Sequence, residues 1–274
     1  MTRAPASRTP ASRAAGGAGA ARAAAPHQAP AVTRAIRVLK LLAAAREPMG
    51  VNAIARELGM VPSSCLHILR ALADDGLVQV DARSKQYALG LGLLTLAHDM
   101  LGKSHFASLV QPELERLARR YGATATAVEL DARERMVVVA VAQAPTFLQI
   151  QVGVGSRFPA YISATGRCVA AHSGLDRAQL RQRFGALKWQ AAPRFEDWLA
   201  EVEAARANGF AVDVGNYICG FTIVAALVGA AEAPRQAISI VCVSEQINGE
   251  RLAALERDTR ETALRLGARL TSRP

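Results

Sequence analysis

Ser63, His67 and Arg70 recur at i, i+4 and i+7, with Ser64 beside them. On a helix these hydrogen-bonding side chains share one face. Cys65, Leu69 and Leu72 follow the same spacing on another face, which would be the core side. The chemistry open to such a polar face is the reading of base edges in a major groove. A guanidinium makes a bidentate contact there, whereas a neutral imidazole gives or takes single hydrogen bonds. The competing reading is a solvated face, the commoner fate of polar residues on an amphipathic helix, so the flanking elements must decide.

Residues 51–58 carry Val51, Ile54 and Leu58 on one helical face. Residues 59–61 make a tight turn, and Pro62 stands where a second helix would open. Gly76 ends that helix. Two apolar segments, 77–80 and 87–89, flank the twice-basic tip Asp81-Ala82-Arg83-Ser84-Lys85. Helix, turn, helix and basic hairpin make a winged helix-turn-helix, mostly α, whose second helix is sized for a major groove. That context favours DNA contact by Ser63, Ser64, His67 and Arg70, and places Arg83 and Lys85 for phosphate or the minor groove. Upstream, Val32, Ile36, Leu39 and Ala43 form one face of a supporting helix, and Thr33, Arg37 and Lys40 form another. Thr33, Arg37 and Arg56 are weaker phosphate candidates.

A second candidate starts at Ser163, just before Ala164-Thr165-Gly166 and a small-residue helix expected over 164–172. Its hydroxyl can cap the helix, and the exposed N–H groups there also suit a carboxylate. Arg167 could add charge or face solvent. Gly153-Val154-Gly155 reads as a turn, because no helix opens behind it. Cys168 and His172 are four apart, but no third His or Cys lies near them, and His98 and His105 stand elsewhere. No metal site, cofactor or catalytic residue is expected. Cys65, Cys168, Cys219 and Cys242 sit in apolar runs without a CxxC pair. That argues against a zinc ribbon, a disulfide framework and a Cys–His hydrolase.

A chain of 274 residues has room for one large or two ordinary domains. Its net charge of +10 is uneven: the first 30 residues hold Arg3, Arg8, Arg13 and Arg22 and no acid. Residues 31–93 add eight basic against five acidic residues. Residues 1–29, rich in Ala, Pro and Arg, cannot bury a core and read as a disordered tail. The tail either contacts phosphate or is a solvated leader. It has no secretory h-region, and no apolar run reaches the roughly 18 residues of a membrane span, so a cytoplasmic protein without a membrane partner is expected.

Residues 30–90 form the DNA-binding domain and 91–103 a leucine-dense linker helix, suited to packing on a second copy of itself. Residues 104–274 form the second domain. There the pattern predicts a helix over 104–121, then strands over 124–130, 136–142 and 147–152. An amphipathic helix follows over 195–208, with strands over 210–214, 221–228 and 236–243, the last two joined by a turn around Pro234. A final helix covers 249–270. Hairpin-like strand succession with segregated helices indicates an α+β fold with a mainly antiparallel sheet.

Several ordered blocks resemble the IclR family of bacterial transcription regulators over 32–270. They are Ala35-Ile36-Arg37-Val38-Leu39-Lys40-Leu41-Leu42, Ala55-Arg56-Glu57-Leu58-Gly59 and Tyr87-Ala88-Leu89-Gly90. Gly155 with Pro159, then Ser163-Ala164-Thr165-Gly166-Arg167, and Gly209-Phe210-Ala211-Val212-Asp213 with Gly215-Asn216-Tyr217 and Gly220, continue the match. The resemblance implies a GAF-like α/β effector-binding domain after the linker helix. It implies an effector cavity bordered by Ser163, Ala164 and Gly166 at the helix start. Asp213, Asn216, Tyr217, Ile218, Cys219 and Thr222 would lie on its loop and strand, with Cys242 and Ser244 on the neighbouring strand. For that second group the competing reading is turn chemistry and strand packing. This chain has His67 where many members carry Arg, and Ala225-Ala226-Leu227-Val228 where the strand often reads Ala-Ala-Pro-Val. The first departure sets aside the family's usual operator preference, and the second concerns packing.

The expected partners are double-stranded operator DNA, a small organic or aromatic acid as effector, and a second copy in a homodimer or tetramer. Two other classes compete with this reading. An enzyme with an appended helix-turn-helix would need convergent acid, base or nucleophile residues, and only scattered ones exist. A ligand-blind architectural DNA binder would show no response to metabolites.

Overall fold

The computed structural model describes residues 29–146, 150–229 and 235–271. The tail expected over 1–28, the first half of the strand expected at 147–152 and the turn around Pro234 lie outside them. The chain forms two compact units divided between Leu94 and Thr95.

In the first unit, α1 (Pro30–Ala44) opens with Pro30 in its first turn, where a missing N–H costs nothing. A short β1 (Met49–Gly50) leads into α2 (Val51–Leu58). Gly59, at φ +63°, ends α2 in the left-handed conformation that a side chain would disfavour. After that sharp turn α3 (Pro62–Asp74) runs to the wing strands β2 (Val78–Val80) and β3 (Gln86–Leu89). Val38, Leu42, Ile54, Cys65, Leu69, Leu72, Val78 and Tyr87 close into one small core. β1 adds a third strand that the sequence pattern did not predict, giving the antiparallel order β1-β3-β2. Helix α4 (Gly92–Lys103) spans the division, with Leu94, Leu96 and Met100 exposed.

The second unit is a six-stranded antiparallel sheet with helices on both faces. Its elements are α5 (His105–Tyr121), β4 (Thr124–Leu130), β5 (Arg135–Gln143), β6 (Arg157–Pro159), α6 (Ser163–Ala171), α7 (Arg177–Gly185), α8 (Phe195–Asn208), β7 (Ala211–Val214), β8 (Phe221–Val228), β9 (Gln236–Val243) and α9 (Gly249–Thr271). The strand order is β6-β5-β4-β9-β8-β7. Residues 150–152 are not strand, and β6 pairs with β5 instead. Helix α7 was not anticipated, because its arginine-rich sequence buries only Leu180. A capping box formed by Asp176 and Gln179 starts it.

Strand alternation divides the sheet into two surfaces. Ala125, Ala127, Val224, Ala226, Ile238, Ile240 and Cys242 pack with α5 and α9. Ile223 and Ala225 face α6 and α8 with Trp198, Val202 and Cys168. Register pairs Thr126 with Ser239 and Ile223 with Val241 on this second face.

Candidate DNA interface and effector cavity

On α3, Ser63, His67 and Arg70 are exposed and Ser64 is half-buried. Among the described residues no side-chain hydrogen bond or ion pair occupies these four. The wing tip is built by Asp81, whose Oδ1 accepts from the N–H groups of Arg83 (3.0 Å) and Ser84 (2.6 Å) and from the Ser84 hydroxyl (2.9 Å). The Ser84 N–H, above all, holds the Asp81 carboxyl below the usual carboxylate range. Lys85 turns the chain back at φ +55°, and the side chains of Arg83 and Lys85 stay exposed. Sequence reasoning gave Asp81 no role, although an Asx turn between two short strands is its signature.

The weaker phosphate candidates divide. Arg56 is exposed. The Thr33 hydroxyl donates to the Ala29 carbonyl at 3.3 Å. Arg37 donates through Nη2 to the Leu58 carbonyl at 3.0 Å, so part of its guanidinium ties α1 to the end of α2.

In the second unit a cavity opens between the sheet and the start of α6. Its empty volume is about 530 Å³, partly continuous with solvent. Thr126 and Ser239 line its sheet side, Phe158 and Met136 one wall, Tyr217 and Ile218 another, and Ser163 and Thr165 the helix end. Among the described residues no lysine, arginine, histidine or carboxylate lines it. Thr126 and Ser239 share a 2.8 Å hydrogen bond. The Phe158 and Tyr217 rings meet edge to face, with centroids 6.4 Å apart.

Ser163 does not cap α6, contrary to expectation. Ile162 occupies the cap position, and Ser163 is the first helical residue at φ +60°. This left-handed backbone costs a non-glycine residue roughly 1–2 kcal/mol. A left-handed residue followed by helical ones turns successive N–H groups toward one point, a geometry that binds anions. Among the described residues no acceptor reaches the N–H groups of Ser163, Ala164 or Thr165; the first helical bond is Gly166 N–H to the Ile162 carbonyl at 2.8 Å. Gly166 is required by the close return of the chain: a Cβ there would lie 2.0 Å from the Tyr161 carbonyl carbon.

Several residues expected at the cavity lie elsewhere. Ala164 is wholly buried in the core, and Gly166 packs on Tyr161. Asp213 is fully buried and engaged with Arg167 at 2.7 Å, and Asn216 accepts from Arg167 at 2.9 Å. Arg167 itself is completely buried, which removes its solvated reading. Cys219 is exposed, its N–H donating to the Gln190 side chain. Thr222 and Cys242 face one another across β8 and β9 on the α5/α9 side of the sheet, and Thr222 hydrogen-bonds Ser244 at 2.9 Å. Strand parity turns both residues away from the cavity. Of the expected set, Ser163, Tyr217 and Ile218 line it.

Thr126, Thr165 and Ser239 were missed. The readable signal was a polar residue interrupting an apolar strand at Thr126 and again at Ser239. Burial pushes the Cys168 thiol up to about 12 and that of Cys242 to about 11. Among the described residues no three His, Cys, Asp or Glu side chains gather as metal ligands, and no helix is long and apolar enough to cross a membrane.

A winged helix-turn-helix followed by a separate domain with a largely apolar cavity defines a DNA-binding regulator of the effector-responsive class. The model of the IclR helix-turn-helix domain matches residues 31–82, and that of the bacterial transcriptional regulator IclR C-terminal domain matches 98–268. The chain belongs to the IclR family of bacterial transcriptional regulators. It is 30% identical over 189 residues to the glycerol operon regulatory protein of Streptomyces griseus, covering 66% of this chain and 71% of that protein. With the Pca regulon regulatory protein of Pseudomonas putida it shares 29% identity over 153 residues, covering 54% of this chain and 50% of that one. An IclR transcriptional regulator structure from Alicyclobacillus acidocaldarius superposes with a TM-score of 0.75 at 28% identity, covering 88% and 99%. An IclR homolog from Microbacterium hydrocarbonoxydans, complexed with 4-hydroxybenzoate, shares the fold at a TM-score of 0.73 and 19% identity, covering 89% and 100%.

Proposed function

We propose that this regulator binds a small aromatic acid of about the size of 4-hydroxybenzoate. The carboxylate sits on the N–H groups of Ser163 and Thr165, and the ring lies against Phe158 and Tyr217. The observation that carries this reading is the strained, buried start of α6, whose three N–H donors lack acceptors among the described residues, beside a largely apolar cavity whose described wall holds no cation. Buried donors without partners are costly, and an anion at a helix start satisfies them with favourable charge. Thr126 and Ser239 offer hydroxyls to a second polar group on the ligand. The solved relative that carries 4-hydroxybenzoate supports the ligand class.

On the DNA side, Ser63, Ser64, His67 and Arg70 read base edges, while Arg83, Lys85, Arg56 and Thr33 meet phosphate. The binding unit is a homodimer, or a pair of dimers, on a pseudo-palindromic operator. The exposed leucines of α4 supply an apolar surface for that association. The effector acts only through its different affinity for DNA-competent and incompetent states. The test is titration calorimetry of the full chain with benzoate, 4-hydroxybenzoate and acetate, followed by analysis of each mixture for conversion. Micromolar binding of an aromatic acid, returned unaltered, is the expected result. Turnover, or no preference for aromatic over aliphatic acids, overturns it.

A further inference from the structure

Arg167 lies outside the cavity wall and is buried to 0% exposure on α6. Its Nε donates to Glu201 Oε2 at 2.6 Å, Nη1 to Asp213 Oδ2 at 2.7 Å and Nη2 to Asn216 Oδ1 at 2.9 Å. Those acceptors come from α8, β7 and the loop after β7. The Trp189 ring lies below the guanidinium, 5.8 Å from it. The other oxygen of Asp213, Oδ1, accepts the N–H groups of Asn216 (3.0 Å) and Tyr217 (3.1 Å). Asn216 also donates through Nδ2 to the Ala191 carbonyl at 3.2 Å. One unbroken chain of hydrogen bonds thus runs from the α6 guanidinium to the backbone that presents Tyr217, and Ile218 next to it, to the cavity.

A buried ion pair is weak evidence for stability, since apolar residues of similar volume often do as well. What a planar fork adds is fixed geometry toward three acceptors at once, which an ammonium cannot copy. We propose that Arg167 is a positioning residue for the effector site: it holds the Tyr217–Ile218 wall from behind and so sets which ligands fit. This inference rests on the cavity being the effector site.

The test uses the full chain and two variants. Arg167→Lys keeps a cation beside Asp213 but cannot span the three acceptors. Asn216→Ala removes one acceptor and leaves the buried ion pair intact, so it decides the matter if the lysine variant folds poorly. Without ligand, amide hydrogen exchange at Asn216 and Tyr217 is expected to accelerate about tenfold in Arg167→Lys and at Tyr217 about threefold in Asn216→Ala, while β8 and β9 keep their protection. With 4-hydroxybenzoate as probe, Kd rises about tenfold in the lysine variant. Unchanged exchange at 216–217 overturns the proposal, as does acceleration spread equally through β8 and β9, which would mark a purely structural role. Failure of the wild-type chain to bind 4-hydroxybenzoate would sink the aromatic-acid reading alone; the exchange pattern would still decide whether Arg167 holds the Tyr217–Ile218 wall.

Discussion

Helices α3 and α6 present opposite surfaces. The first exposes Ser63, His67 and Arg70 and uses its other side to hold the unit together. The second buries all nine of its residues, and Ser163 and Thr165 at its start line a cavity. A surface offered to a large partner can be carried by one helix, because a groove comes to it. A site that encloses a small ligand must be assembled from several segments, and each wall then depends on the packing behind it. Substitution should therefore have separable effects on α3 and coupled effects on α6.

The sharpest break in that comparison would come at Gly166. A valine there drives its Cβ into backbone rather than a flexible side chain, so a loss of about 3 kcal/mol or more is expected, since overpacking usually costs 1–3. Thermal unfolding checks it. A melting temperature within a degree of wild type would show that α6 is not seated as described. On α3 the expected effect is on DNA and not on folding. Arg70→Ala should cost about 1–3 kcal/mol at the base pair it reads, whereas Lys85→Ala should weaken all sequences alike and lower the salt slope by roughly one unit. Binding to a selected operator and to scrambled duplex, across a salt series, separates the two; equal loss of specificity in both would contradict that division.

The same contrast explains what could be read beforehand. The α3 faces follow from helical periodicity within thirteen residues, and the wing from two short apolar runs around a polar tip. The cavity has no such local pattern. Thr126 and Ser239 are 113 positions apart, and only the β4–β9 register makes them neighbours. Cys242 and Thr222 were assigned to the right strands but the wrong face, a matter of parity that a one-residue shift reverses. The αL backbone of Ser163 leaves no trace in residue type, since a serine before a helix more often caps it. For α7 a local signal exists in Asp176 and Gln179, three apart, but the arginine-rich run that follows carries no apolar stripe and buries only Leu180.

Ser163→Gly sharpens the comparison, because its two effects have opposite signs. Glycine relieves the positive φ, so stability should hold or rise by up to about 1 kcal/mol. Loss of the hydroxyl should weaken 4-hydroxybenzoate by a similar amount, about fivefold in Kd. Melting and titration of the same preparation give both numbers. A less stable variant with unchanged affinity would make Ser163 a plain structural residue.

The smallest expected effect concerns thiols. Burial raises the pKa of Cys65 as well as those of Cys168 and Cys242, and the thiolate is the species that reacts. Cys168 is further shielded in the α6 core, its thiol donating to the Ala225 carbonyl at 3.4 Å. Cys219 is exposed, beside Ile218 of the cavity wall. Iodoacetamide at pH 8 should therefore modify Cys219 alone in the folded protein, as read by peptide mass spectrometry, and bound 4-hydroxybenzoate should slow that reaction by about twofold through local ordering. Labelling of Cys168 at a comparable rate would mean that α6 opens readily, and the enclosed character that distinguishes it from α3 would not hold in solution.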